Sequence, residues 1–226
     1  AAASDLNAIN TATTGVVTVG SGTITGTASD VAATYAANTA GTIAGLGNEA
    51  VSVSGASSAA SDLNAIDTAT SGVVTVAATT ITGSSSDVAA TYAANTAGTI
   101  AGLGDEAVTI SGASAAASDL NSINSDTTGV VTVNSTTITG SAADVKTAYD
   151  ADTAGTIAGL GNEAVTISGA SSAASDLNSI NGLTTGVVTV NSTTITGSAA
   201  DVKTAYDANT AGTIAGLGNE AVTISG

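Results

Sequence analysis

The side chains able to do chemistry in this sequence are almost all carboxylates, hydroxyls and amides. Eighteen acidic residues stand against Lys146 and Lys203, and there is no His, Cys, Met, Trp, Phe or Pro. A nucleophilic Ser or Thr needs a base or another activating group beside it. With His and Cys absent and two lysines in the chain, no hydroxyl is placed to be activated. We expect no enzyme, no catalytic residue and no cofactor.

Four patterns remain. Gly45-x-Gly47-x-x-Ala50 matches a dinucleotide loop, but such a loop must open a helix whose N-terminus meets the pyrophosphate. A strand-like run follows instead, so we expect a turn. Asn48-Glu49, and its counterparts Asp105-Glu106, Asn162-Glu163 and Asn219-Glu220, supply the oxygen donors that calcium takes. Neither the EF-hand loop nor the calcium nonapeptide accompanies them, so their expected role is to satisfy turn backbone. Calcium is a conceivable partner, not an expected one. Asp5, Asp30 and their equivalents sit where first helical turns would fall, so the helix dipole explains them better than paired catalytic carboxylates do. Asn134-Ser135-Thr136 and Asn191-Ser192-Thr193 form glycosylation sequons and read most simply as loops.

The sharpest pattern is a hydroxyl ladder. Thr23 and Thr25, Thr80 and Thr82, Thr137 and Thr139, and Thr194 and Thr196 each flank an aliphatic residue. Ser52/Ser54, Thr109/Ser111, Thr166/Ser168 and Thr223/Ser225 offer the same in alternate segments. If the segments stack, the hydroxyls form two outward ranks, similar to the ice-binding faces of some β-solenoid antifreeze proteins. Thr is also simply a good strand residue, and Thr–Thr cross-strand pairs are stabilising.

The elements that carry these residues recur. Ser-Asp-Leu-Asn appears at 4–7, 61–64, 118–121 and 175–178, a spacing of 57, and Tyr35, Tyr92, Tyr149 and Tyr206 keep the same spacing. Such a period signals stacked repeats. We read residues 1–226 as a single array with repeats at 4–60, 61–117, 118–174 and 175–226. Each repeat divides again, since Ser4-Asp5-Leu6 is echoed by Ser29-Asp30-Val31. Both halves read as a helix, Gly, a short β-rich run, a turn and a second β-rich run. The motifs Thr27-x-x-Asp30, Ser84-x-x-Asp87, Ser141-x-x-Asp144 and Ser198-x-x-Asp201 predict capping boxes. Val31 and Tyr35, or Leu6 and Ile9, give each helix one narrow apolar stripe, over roughly 9–12 residues per helix. Alternation in Thr137-Ile138-Thr139 and Val165-Thr166-Ile167-Ser168 predicts half-buried strands. No half-repeat can bury its faces alone, so neighbours must supply the core. The expected fold is an α/β repeat solenoid of helix–strand–strand coils. Stacked helix-plus-β-hairpin units are the alternative, because the turns Gly20-Ser21-Gly22 and Asn134-Ser135-Thr136 suit hairpins too.

The phrases TITGSAADVKTAYD, IAGLGNEAVTISG and ASDLNSINGLTTG resemble tandem repeats of very large secreted or cell-surface proteins of marine cyanobacteria, over the whole chain. The resemblance implies an extracellular structural segment. Residues 118–169 and 175–226 differ only at Ser125/Gly182, Asp126/Leu183 and Asp152/Asn209, which is also how a consensus-engineered version would look. A net charge of −16 opposes nucleic acid, whose binding is driven by Lys and Arg, and anionic lipid surfaces. No apolar run approaches the roughly 18 residues of a membrane span, so membrane insertion is not expected. The chain opens AAASDLN without Met and reads as a segment of something longer, with flanking repeats of the same chain as its partners. The expected role is a structural spacer; the alternative is a binding face along the stack, for ice through the threonine ladder or for calcium or glycan.

Overall fold

The computed structural model describes every residue except Ser21 and Gly226, so the centre of the Gly20-Ser21-Gly22 turn lies outside the described residues. Two compact units divide the chain, Ala1–Thr109 with Asp126–Gly129, and Ile110–Ser125 with Val130–Gly226. The fold is α/β, with helices and short strands alternating in a solenoid-like arrangement of repeats. The first repeat comprises α1 (Ala3–Ala12), β1 (Val17–Thr18), β2 (Ile24–Gly26), α2 (Ala28–Thr39), β3 (Ile43–Ala44), β4 (Val51–Val53) and β5 (Ser57–Ala59). The second runs α3 (Ala60–Ala69), β6 (Val74–Val76), β7 (Thr80–Gly83), α4 (Ser85–Ala97), β8 (Ile100–Ala101), β9 (Ala107–Ile110) and β10 (Ser114–Ala116). The third is α5 (Ala117–Asp126), β11 (Val131–Val133), β12 (Thr137–Gly140), α6 (Ala142–Ala154), β13 (Ile157–Ala158), β14 (Ala164–Ile167) and β15 (Ser171–Ala173). The last is α7 (Ala174–Leu183), β16 (Val188–Val190), β17 (Thr194–Gly197), α8 (Ala199–Ala211), β18 (Ile214–Ala215) and β19 (Ala221–Ile224).

Helix starts follow the local chemistry. Thr27, Ser84, Ser141 and Ser198 each accept the amide of the Asp three residues on. The Asp side chain differs from the expected box: Asp30 Oδ2 accepts the Thr27 hydroxyl at 2.8 Å, and Asp144 Oδ2 the Ser141 hydroxyl at 2.6 Å. The acid thus fixes the capping hydroxyl, which in turn holds the helix. The alternate helices α1, α3 and α7 have Ala at the N-cap and no side-chain cap, leaving Asp5, Asp62 and Asp176 in the first turn to complement the dipole. Gly98, Gly155 and Gly212 end their helices in the left-handed conformation, which costs Gly no Cβ strain.

Every strand register the structure gives is parallel, so the coils are parallel and the hairpin alternative falls. The helix–strand–strand coil describes the first half of each repeat, but the second half carries a third strand: β5, β10 or β15. Its Ser-Ser-Ala or Ser-Ala-Ala sequence lacks large alternating side chains. It becomes a strand because β7, β12 or β17 offers it a ladder.

The ladder keeps a different period from the sequence. Ile24 pairs with Val51 and Val51 with Val74, two steps that cover 50 residues against the 57 of the repeat. Each pair of steps therefore falls seven residues behind the repeat, and one sheet collects strands from different repeat positions. In the second unit the order β10-β12-β14-β16-β18 begins at the third-strand position and ends at a two-residue strand. Short edges of this kind resist unwanted pairing.

Inside each unit the aliphatics of the strands meet the helix stripes. Ile24, Val51, Val53, Val74 and Val76 are buried with Val31, Tyr35, Leu63 and Ile66, each aliphatic worth roughly 1.5–3 kcal/mol when fully buried. Polar bridges add direction. Asn7 Nδ2 donates to Asp30 O at 2.9 Å, and Thr34 Oγ1 donates to Asn7 Oδ1 at 2.9 Å. Asn64 and Thr91 repeat the arrangement. In the second unit Ala148 and Ala205 replace those threonines, and Asn121 Oδ1 and Asn178 Oδ1 have no partner.

A buried contact beside β15 varies in the same way. Ser172 and Ser192 hydroxyls lie 2.6 Å apart. The equivalent pairs are Ser58 with Ala78 and Ala115 with Ser135, and both lone hydroxyls are unpaired. A buried hydroxyl gains about 1 kcal/mol from a bond and loses 1–3 kcal/mol without one. Ala115→Ser and Ala78→Ser should therefore each raise the melting temperature by about 2–4 °C, whereas Ser172→Ala should lower it. Calorimetry of the three variants checks this, and unchanged or lowered melting in both Ala→Ser variants would contradict it.

Candidate functional site

The polar groups gather at one place in each repeat, the turn from Gly45 to Glu49 and its copies. Tyr35 on α2 precedes Glu49 by 14 residues and reaches it across the turn. Glu49 Oε2 accepts the Gly47 amide at 2.7 Å, the Asn48 amide at 3.1 Å and the Tyr35 hydroxyl at 3.5 Å. Glu163 Oε2 accepts Gly161 at 2.7 Å, Asn162 at 3.2 Å and Tyr149 at 3.3 Å. Glu106 binds Gly104 and Tyr92, and Glu220 binds Gly218 and Tyr206. Asn38 clamps the same turn from the helix, accepting from Leu46 N and donating to Leu46 O. Asp152 keeps only the accepting half of that clamp, from Leu160 N.

The following coil then seals the turn. Thr70 Oγ1 donates to Glu49 O at 2.9 Å and Ser71 N donates to Gly47 O at 2.9 Å. Thr184 and Thr185 treat Glu163 and Gly161 identically. A Cβ on Gly72 would lie 2.1 Å from Glu49 O, and one on Gly186 would lie 2.0 Å from Glu163 O. Only glycine allows this approach.

The geometry gives these residues structural work. The Gly-x-Gly-x-x-Ala pattern leads into strand β4, not a helix, so it presents no helix N-terminus to a pyrophosphate. The Glu carboxylate is turned onto turn amides, as expected of the Asn-Glu pairs. Among the described residues, no three His, Cys, Asp or Glu side chains are grouped to hold a metal ion. Two open clefts of about 360 and 350 Å3 repeat in the second unit. The first is lined by the Asn134-Ser135-Thr136 and Asn162-Glu163 turns, the second by their copies 57 residues on. Both are therefore features of the repeat.

The threonine positions fall differently from two unbroken ranks. Thr139 is flanked in its sheet by Ala116 and Thr166, and the row continues to Thr189 and Ala215. Thr25, bridged to Ala2, continues through Ser52 and Thr75 to Ala101. Each row is three hydroxyls wide and ends on Ala, because the ladder slips against the repeat. Thr137 pairs with Ser114 and Ala164, and Thr194 with Ser171 and Ala221. Thr80 pairs with Ser57 and Thr82 with Ala59. Thr23 and Thr25 are exposed, while Thr80, Thr82, Thr137, Thr139, Thr194 and Thr196 are half-buried. Sequence reasoning missed Thr75 and Thr189, since membership of a row depends on a register that no local pattern reveals.

The chain matches no protein-family model, no curated protein and no solved structure.

The buried tyrosines make the cluster testable by pH. Burial pushes the Tyr35, Tyr92 and Tyr149 phenols above their usual value of 10.0; the Thr70, Thr127 and Thr184 hydroxyls partly offset this, and the neighbouring Glu charges add to it. A phenol raised in the folded state favours folding below the unfolded pKa and loses that advantage as pH rises from about 10 towards the folded value. Stability should hold from neutral pH to about pH 10 and then fall by up to about 1.4 kcal/mol per pH unit for each buried tyrosine. Chain-wide competition is small, as there are no cysteines and two lysines, both in surface ion pairs. Urea unfolding between pH 9 and 12 should show a shallower fall for the Tyr92→Phe, Tyr149→Phe double variant. An unchanged slope would contradict the assignment.

Proposed function

We propose that this chain is a non-enzymatic structural spacer, a segment of a large extracellular or cell-surface repeat protein. The observation that supports this reading most is where the reactive-looking groups go. The Glu carboxylate, Tyr hydroxyl, junction Thr and bridging Asn bind the backbone or side chains of their own or an adjacent coil, in copy after copy. A site for chemistry needs free, convergent groups, and a repeated junction needs what is seen here. The short, Ala-ended and mostly half-buried hydroxyl rows also favour a spacer over an ice-binding face. The extracellular placement rests on the sequence resemblance to cyanobacterial surface repeats, and the charge of −16 suits a soluble, self-repelling surface.

In a stack each unit touches only its neighbours, so stability and length are both set by copy number. Chains of one, two, four and eight copies, studied by circular dichroism and small-angle scattering, test this. One copy such as 118–174 should be largely unfolded, two marginal and four cooperative. The maximum dimension should grow by a fixed increment per copy, about 10 Å if each half-repeat adds one strand layer. A single copy that folds stably, or a dimension that stops growing, would overturn the spacer reading.

A further inference from the structure

Asn181 is the only asparagine in the chain that is followed by glycine. The pair lies in the last turn of α7, with Asn181 half-buried and Gly182 exposed. The equivalent pairs are Asn10-Thr11, Asp67-Thr68 and Asn124-Ser125. A backbone amide that follows Asn can attack the side-chain carbonyl, and glycine, without a Cβ, obstructs that attack least. A Cβ built on Gly182 would meet nothing within 4 Å, so no neighbouring coil restrains the pair from outside. The helix itself does. There the Gly182 amide takes the bond to the carbonyl four residues back, and the helical angle at Asn181 turns that nitrogen away from Cγ. Just beyond, the Thr184 amide donates to Ile180 O at 3.1 Å and the Thr185 amide to Gly161 O at 2.8 Å, while Thr184 Oγ1 donates to Glu163 O at 2.9 Å. Glycine is a poor helix former. In α5 the Ser125 hydroxyl donates to Ser122 O at 2.7 Å, a tie that Gly182 lacks, so the end of α7 depends more on its seal to the Glu163 turn.

We propose that Asn181-Gly182 is a self-modification site, an asparagine-to-isoaspartate conversion that the seated α7 junction prevents and an opened junction releases. When the turn opens, the Gly182 nitrogen bonds to Asn181 Cγ and the Cγ–Nδ2 bond breaks. Nδ2 leaves as ammonia, taking up the proton that the Gly182 amide loses. Water then opens the cyclic imide. Attack at Cγ gives aspartate, and attack at the Asn181 backbone carbonyl carbon gives isoaspartate, whose backbone runs through Cβ and Cγ and is one atom longer. Either product places a new negative charge at the C-terminal end of α7, where the helix dipole opposes it. The longer link also displaces Thr184 and Gly186 from the Glu163 turn. Gly186 has no slack there, since a Cβ on it would lie 2.0 Å from Glu163 O. A junction that stays open is thus converted into one that reseats poorly.

Peptide mapping by mass spectrometry tests this, with folded and urea-unfolded chain incubated side by side in mildly alkaline buffer. The unfolded chain should convert Asn181 before any other asparagine. The folded chain should convert it at least about tenfold more slowly, because only the open fraction reacts. Two treatments loosen the seal and leave the reacting pair untouched: urea below the unfolding transition, and Thr184→Val, which removes the hydroxyl donated to Glu163 O. Each should accelerate conversion while circular dichroism still reads a folded chain. Gly182→Ser, which copies Ser125 of the third repeat, should suppress conversion in both states. After long incubation it should also keep the urea midpoint that wild type loses. Equal rates in folded and unfolded chain, another asparagine reacting first, no acceleration by either loosening treatment, or a midpoint unchanged by conversion would overturn the proposal.

Discussion

The close seating of one coil's entry loop on the glutamate turn of the coil before it is the contact on which the stack depends. Gly72 and Gly186 lie so near a turn carbonyl that a Cβ has no room. Around that approach the Thr hydroxyl and the next amide satisfy turn carbonyls, while the Glu carboxylate satisfies the turn amides from within. A buried turn with unpaired carbonyls would be costly. Here the cost is removed only when the next coil is present. The hydrophobic core obeys the same logic, as the strand aliphatics and helix stripes are covered by neighbours within each unit. Cooperativity follows from both.

The seven-residue slip between ladder and repeat shapes the sheets. A ladder in step with the sequence would stack identical strands indefinitely and line up identical threonines. The observed ladder moves through five strand positions and ends at Ile-Ala pairs such as β8 and β18. Sheets are thus bounded while the repeat continues, and no long flat edge accumulates within either unit.

Much of this was legible in the sequence. Period, half-repeats, cap hydroxyls, helix lengths and Gly stops follow from local chemistry that each segment carries by itself. Parallel coils and hairpins were not separable, because turns like Asn134-Ser135-Thr136 fit both and the choice is made by pairing between coils. The Ser57–Ala59 strand was invisible for the same reason, having no alternation of large side chains. At the candidate site, the turn role of Glu49 was readable from its Gly-rich context. Its bond to Tyr35, 14 residues away, and the Thr70 seal from the next coil were not, since the first forms only when the coil closes on itself and the second only after stacking. The unpaired Ser58, Ser135, Asn121 and Asn178 oxygens mark places where copies diverged one partner at a time.

The central claim is that a coil is held by the coil before it through the glycine approach at the glutamate turn. It predicts that one chemical change has opposite consequences at equivalent positions. Gly72→Ala and Gly186→Ala insert a methyl against a turn carbonyl and should each destabilise the fold by about 3 kcal/mol or more, as overpacking against fixed backbone does. In Gly15→Ala the added methyl meets only Thr13 Oγ1, at an ordinary contact of 3.5 Å, so its stability should stay within about 0.5 kcal/mol of wild type. Urea unfolding of the three variants gives the comparison directly. Equal effects at Gly15 and Gly72, or a neutral Gly72→Ala, would contradict the account.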